Sequence, residues 1–319
     1  MQTTSPRFTA LASLAAALAA SLTLVACADD PRGPAGQRVQ LPGDTFYPEG
    51  LAFDRAGRMF VASIPTGQIV RVDDGASAPV ELVAAGALGQ SAVGMTMSRE
   101  GDLLWICDGT YGTDFPPAVI GIDPDTGAER VRHHFPAQRD GRTGGLCNEI
   151  AEDGAGNVYA SDSFGARVLR VAAADRLTPD RAAAWAEGAE LGAPMFGVNG
   201  IAFDGAGALL AVNTSAGTLH RIGLADAKIS PVALERPLAG PDGLRIERTG
   251  RAIVVEQGAG AVSRIDLTTG AVDILKDGLR DPTSLDLIDG TAWVSEGQLS
   301  HLFDMTAPGL PFEAVRVQL

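Results

Sequence analysis

The chain has 319 residues, 45% hydrophobic and 20% charged, with 25 basic against 39 acidic side chains. That composition suits a soluble globular domain with room for a large core, and a net charge of −14 argues against nucleic acid or an anionic membrane surface as a partner. Only Arg7 is charged before position 27, so the remainder carries 24 basic and 39 acidic residues, a balance of −15.

The N-terminus reads as a processing signal. Arg7 precedes an apolar, alanine-rich run from Phe8 to Ala26, which ends Leu24-Val25-Ala26-Cys27. That ending looks like a bacterial lipobox, in which the cysteine becomes the lipidated first residue. The expected organisation is a lipoprotein signal peptide over 1–26, a flexible tether over 27–37 opening Asp29-Asp30-Pro31, and one domain over 38–319. The alternative is a plain secretory signal. On the lipobox reading the protein is extracytoplasmic and lipid-anchored on the periplasmic face. Membrane contact is then through the lipid on Cys27 alone, and Ala28 rather than Asp after it favours the outer membrane.

From residue 48 one phrase recurs. Pro48-Glu49-Gly50-Leu51-Ala52-Phe53-Asp54 returns as Val93-Gly94-Met95, Asn148-Glu149-Ile150, Asn199-Gly200-Ile201, Asp242-Gly243-Leu244 and Thr283-Ser284-Leu285. Each copy is an alternating apolar run, a turn with Gly or Asp, and a second apolar run, which is a β-hairpin pattern. The lead positions 49, 93, 148, 199, 242 and 283 lie 41 to 55 residues apart. Strand pairs repeated at that period predict an all-β fold, a six-bladed β-propeller of four-stranded blades.

The third strands are read at Gln68-Ile69-Val70-Arg71-Val72, Arg167-Val168-Leu169-Arg170-Val171, Thr218-Leu219-His220-Arg221-Ile222, Ala261-Val262-Ser263-Arg264-Ile265 and, for blade six, Leu299-Ser300-His301-Leu302-Phe303. Residues 177–190, with Ala182-Ala183-Ala184-Trp185, are the least strand-like stretch and read as a helical turn or a loop. Val39-Gln40-Leu41 and the alternating run Ala314-Val315-Arg316-Val317 are expected to close the ring from the two chain ends. Cys107 and Cys147 sit in neighbouring repeats. An oxidising compartment permits a bridge between them, and otherwise they are two small buried residues.

In a propeller the first strand of each blade lines the axis, so the lead residues Glu49, Val93, Asn148, Asn199, Asp242 and Thr283 are expected to face one point. Four of them offer carboxylate or amide oxygen, a set suited to one Ca²⁺ in the central channel. No thiol or imidazole stands among them, which argues against zinc and copper. Taken singly, such residues are ordinary turn formers.

These motifs, together with Cys147-Asn148-Glu149, Val198-Asn199-Gly200-Ile201-Ala202 and Pro241-Asp242-Gly243-Leu244, resemble the senescence-marker-protein/gluconolactonase family of six-bladed calcium propellers and the related diisopropyl-fluorophosphatases, over roughly residues 42–303. The resemblance implies that Glu49, Asn148, Asn199 and Asp242 hold a catalytic Ca²⁺, with Asp242 as general base or nucleophile. Two departures stand out. The sugar-lactonase branch has an arginine two places before the third-blade Asn, where this chain has Leu146. The fluorophosphatase branch holds a second calcium with residues that here are Arg245 and Asp286, for which an ion pair replacing that calcium is expected.

The ends of the second strands, Asp108, Asp162, Asn213, Glu256 and Glu296, are expected to form an acidic rim on the metal side. Aromatic walls are expected from Tyr111, Phe115, Phe164 and Trp185; Tyr111, Phe115, Asp108, Asp162, Asn213 and Thr283 are the candidate substrate contacts. His133 and His134 read as surface residues of an outer strand, and His220 and His301 as structural residues of third strands. No Gly-x-Ser-x-Gly elbow is present. The expected function is Ca²⁺-dependent hydrolysis of a lactone or related ester by a monomer acting on a small molecule. The alternative is a non-catalytic, lipid-anchored propeller that binds a ligand or partner protein around a structural calcium.

Overall fold

The computed structural model describes residues 1–2, 32–109 and 116–319. Among these, six four-stranded antiparallel sheets follow one another in chain order. Their inner strands are Pro48–Phe53, Met95–Met97, Cys147–Glu152, Val198–Phe203, Pro241–Ile246 and Pro282–Ile288. This is the six-bladed propeller that the repeat predicted. The last blade is closed by both chain ends: Glu313–Gln318 lies beside Thr291–Glu296, and Arg38–Gln40 pairs outside it with Val39 opposite Ala314.

Apolar side chains at alternate positions pack between neighbouring blades. Phe60 and Ile69 of the first blade, for example, meet Met95, Ile106 and Ile120 of the second, all fully buried. The core is thus a ring of inter-blade layers, and the axis is left for the inner strands to line. Five of the six inner strands carry a register shift at the lead residue and the one after it, such as Pro48/Leu51 and Val198/Ile201. A bulge there bends the strand and re-aims its side chains. The residue after the lead must be very small in most blades. A Cβ on Gly50 would lie 2.1 Å from the Val93 carbonyl oxygen, and one on Gly200 would lie 2.1 Å from that of Asp242.

Several expectations need correction. Leu299–Phe303 is a short helix, not a strand. Its apolar residues Leu299, Leu302 and Phe303 have helical spacing, and the third-strand place in blade six is taken by the C-terminal segment. His301 therefore sits on that helix, its Nδ1 2.7 Å from Thr306 Oγ1. Ala183–Glu187 is the outer strand of blade three, paired with Arg167–Val171. Alanine's helical preference is overridden there by ladder hydrogen bonds and by Trp185, which meets the Tyr159 ring edge-on at 4.8 Å.

His133 is fully buried, not on the surface. Its Nε2 lies 3.1 Å from the Arg176 carbonyl and its Nδ1 accepts from the Arg181 N–H, and burial pushes its pKa down. His220 is buried in the third strand of blade four, as expected. Cys107 and Cys147 form a disulfide that joins blades two and three, with Cα atoms 5.1 Å apart.

The expected tether is docked over its described part. Arg32 donates to both Asp289 carboxylate oxygens at 2.9 to 3.1 Å and to the Arg55 carbonyl at 2.6 Å, and Gly33 N–H donates to Asp74 at 2.6 Å. The signal peptide and Cys27 lie outside the described residues.

Candidate metal centre

Glu49, Asn148, Asn199 and Asp242 come together at one end of the central channel. All four are buried, between 4% and 6% exposed, and they share one small cavity of about 50 Å³ with Val93, Phe196 and Gln257. Two of the four are held from behind. Asn148 Nδ2 donates to Ser163 Oγ at 2.9 Å and Asn199 Nδ2 to Thr214 Oγ1 at 3.0 Å. Those hydroxyls in turn donate to backbone carbonyls of the next blade, at Val198 and Pro241. Each amide nitrogen is thereby engaged with a neighbouring hydroxyl.

Glu49 has no such support. Glu49 Oε2 is a buried oxygen with no hydrogen-bond partner. Burial, then the charges of Asp242 and Glu149, push the Glu49 pKa well above its ordinary value, with Arg245 pulling the other way. Burial and the Glu149 charge push Asp242 up in the same way, opposed by a hydrogen bond from Asn199. Two ionisable carboxyls buried side by side, one with an orphaned oxygen, are costly in the absence of a cation. Among the described residues no three His, Cys, Asp or Glu side chains converge as ligands. The donor set is two carboxylates and two amides, all oxygen, which fits a hard divalent cation.

Deeper in the channel the expected Arg245–Asp286 pair is present, with Nε to Oδ1 at 3.2 Å. It belongs to a larger cluster that sequence reasoning missed. Arg245 also donates to Glu149 Oε2 at 3.0 Å and to the Leu244 and Met95 carbonyls at 2.9 and 3.2 Å. Asp286 Oδ2 accepts from the Phe53 N–H at 2.8 Å. Burial disfavours the charge on Arg245, but Glu149 and then Asp286 outweigh it and raise its pKa. For Glu149 burial prevails over Arg245, so its pKa is also raised. The signal for Glu149 was in the repeat: the position after the lead is Gly or Ser in the other five blades and Glu only here.

The acidic rim does not form. Asp108, Asp162, Asn213, Glu256 and Glu296 are all at most 3% exposed. Asp162 is taken by Arg167 at 2.8 Å and by the Leu146 and Gly165 N–H groups. Glu256 is clasped by Arg236 through two 2.7 Å contacts, Arg280 holds Glu296, and Arg132 reaches Asp108 at 3.0 Å. Asn213 donates to the Glu190 and Gly192 carbonyls. These residues fasten loops to blade edges. A buried carboxylate requires a partner, and the nearby arginines supply it. Thr283 is buried too, donating to the Pro48 carbonyl across the first and last blades. Tyr111 and Phe115 lie outside the described residues.

The walls of the mouth are apolar; Phe164 was expected near it, while Ile64 and Phe196 come from outside the residues the sequence singled out. Ile64, Leu146, Phe196 and Phe303 border the small cavity and also a neighbouring one of about 340 Å³. Phe164, Phe196 and Phe303 follow one another with ring centres 5.5 and 6.1 Å apart. Trp185 packs on Tyr159 in blade three, among residues buried between blades.

The fold and this axial cluster define a six-bladed propeller with an oxygen-lined pocket at one end of its channel. No protein-family model matches the chain, and no curated protein matches it in sequence. Among solved structures it is similar to a gluconolactonase from Xanthomonas campestris (14% identity, TM-score 0.62, covering 90% of this chain and 94% of that one). It is similar to the calcium-binding protein regucalcin from Agrobacterium tumefaciens (16%, 0.62, 90% and 96%). It is also similar to a virginiamycin B lyase from Staphylococcus aureus (18%, 0.58, 82% and 81%). At such identities the likeness is one of fold.

Proposed function

We propose that this chain is an extracytoplasmic, calcium-dependent hydrolase of a lactone or related ester. One observation carries the reading: Glu49 and Asp242 are buried together at a pocket end, with no ion-pair partner in contact among the described residues and beside two amides secured by neighbouring hydroxyls. Glu49, Asn148, Asn199 and Asp242 would hold the Ca²⁺, and when bound it supplies Lewis-acid polarisation of a carbonyl oxygen. Asp242 stands at the same cavity wall, so its carboxylate serves as general base or nucleophile toward the reacting carbon. The apolar wall of Val93, Leu146 and Phe196 limits water around it. The gluconolactonase and regucalcin neighbours support the hydrolase and calcium parts of this reading respectively.

The test is a panel of lactones, aryl esters and organophosphates assayed with Ca²⁺ and with EDTA. Turnover that needs Ca²⁺ and falls with Asp242→Asn is the expected result. Ca²⁺ binding with no turnover of any compound would replace the hydrolase by a ligand-binding propeller with a structural calcium. Lipid anchorage through Cys27 is tested by fatty-acid labelling, which Cys27→Ser should abolish.

A further inference from the structure

The cavity beside the metal pocket is large, about 340 Å³, and its wall is chemically one-sided. Ile64, Pro65, Leu146, Phe196, Leu302 and Phe303 make its apolar lining, and four of these also border the inner cavity that holds Glu49 and Asp242. Among the described residues its polar contributors are Gln90 and Ser91. The Ser91 hydroxyl is itself buried and closed to water, so it adds no open polar contact to the chamber. Phe303 stands at the mouth, 49% exposed, on the short helix. A concave chamber lined mainly by apolar side chains with few polar groups is the usual form of a small-molecule site.

We propose that this chamber holds an apolar arm of the substrate, alkyl or aryl, so that the class taken is a hydrophobic ester or alkyl-substituted lactone and not a polyhydroxylated sugar lactone. The inference rests on the hydrolase reading for the reacting group and on the chamber for the arm. Each sugar hydroxyl entering here would lose its water partner, and among the described residues of the wall Gln90 is the polar side chain open to replace it. An alkyl or aryl arm loses only its contact with water, which favours entry.

The experiment uses the full-length protein with Ca²⁺ and a series of γ-lactones bearing unbranched side chains from methyl to octyl. In parallel, N-alkyl lactams of the same lengths, which resist hydrolysis, are titrated calorimetrically. Each methylene that enters the chamber should raise kcat/KM by up to about fourfold, with the lactams following in Kd, until the chamber is full. Phe303→Ser, at a half-exposed position that folding tolerates, should lower the ratio of long-chain to short-chain turnover. Hydrolysis that is flat with chain length overturns the proposal and leaves the hydrolase reading standing. No hydrolysis, but lactam affinity that climbs with chain length, keeps the chamber and removes the hydrolase. Flat lactam affinities overturn the proposal whatever the turnover.

Discussion

Replacing Arg245 with methionine tests how the channel is held together. The substitution keeps much of the side-chain length and deletes the guanidinium, and with it four hydrogen bonds to Asp286, Glu149 and the Leu244 and Met95 carbonyls. Glu149 and Asp286 are left facing a thioether inside the barrel. Removing one partner of a buried ion pair costs about 3–5 kcal/mol, against a total stability on the order of 5–15 kcal/mol. For a domain of this size that corresponds to a fall in Tm of about 5–8 °C. The assay is urea denaturation in EDTA, followed by the fluorescence of the buried Trp105 and Trp293. The triple variant Arg245→Met/Glu149→Gln/Asp286→Asn neutralises the stranded carboxylates and should recover most of the loss. A single variant that loses less than about 1 kcal/mol, or a triple variant no better than the single, would refute the claim that Arg245 is the channel's counter-ion.

Three further outcomes follow from the same geometry. Glu49 and Asp242 have raised pKa values in the fold, so the folded cation-free protein binds protons that the unfolded chain releases. Its stability is therefore fullest below the ordinary carboxylate range near about pH 4 and is lost as pH rises above it; Ca²⁺ should flatten that dependence in thermal scans. Glu49→Gln should weaken Ca²⁺ binding by calorimetry and, in EDTA at neutral pH, raise Tm by a few degrees, since it removes an unpaired buried charge. Opening the Cys107–Cys147 bridge, which spans 40 residues, should cost about 4 kcal/mol on the loop-entropy estimate, read as a lower urea midpoint in reductant.

The repeat made the architecture legible because every inner strand carries the same period-two phrase and the same turn after it. It also brought four distant residues to one cavity on register alone. Elsewhere local pattern and tertiary context parted. The run Leu299–Phe303 has apolar residues that satisfy either a buried strand or one helical turn, and only the C-terminal strand's claim on the blade decides between them. Asp162, Glu256 and Glu296 end their strands where a rim would be. What sequence could not show is that Arg167, Arg236 and Arg280 fold back over them. Glu149 was visible as a break in a glycine column, but its reach to Arg245 spans 96 positions and follows only from closure of the ring.

The clamp of Arg32 on Asp289 also fixes where the chain enters the propeller. Asp289 follows the strand Pro282–Ile288, at the far end from Thr283 and the cation pocket, and that strand is about 23 Å long. Whatever lies N-terminal to Arg32 therefore joins the propeller at the closed end of its channel, and the approach to the cation pocket is left clear of it at that junction.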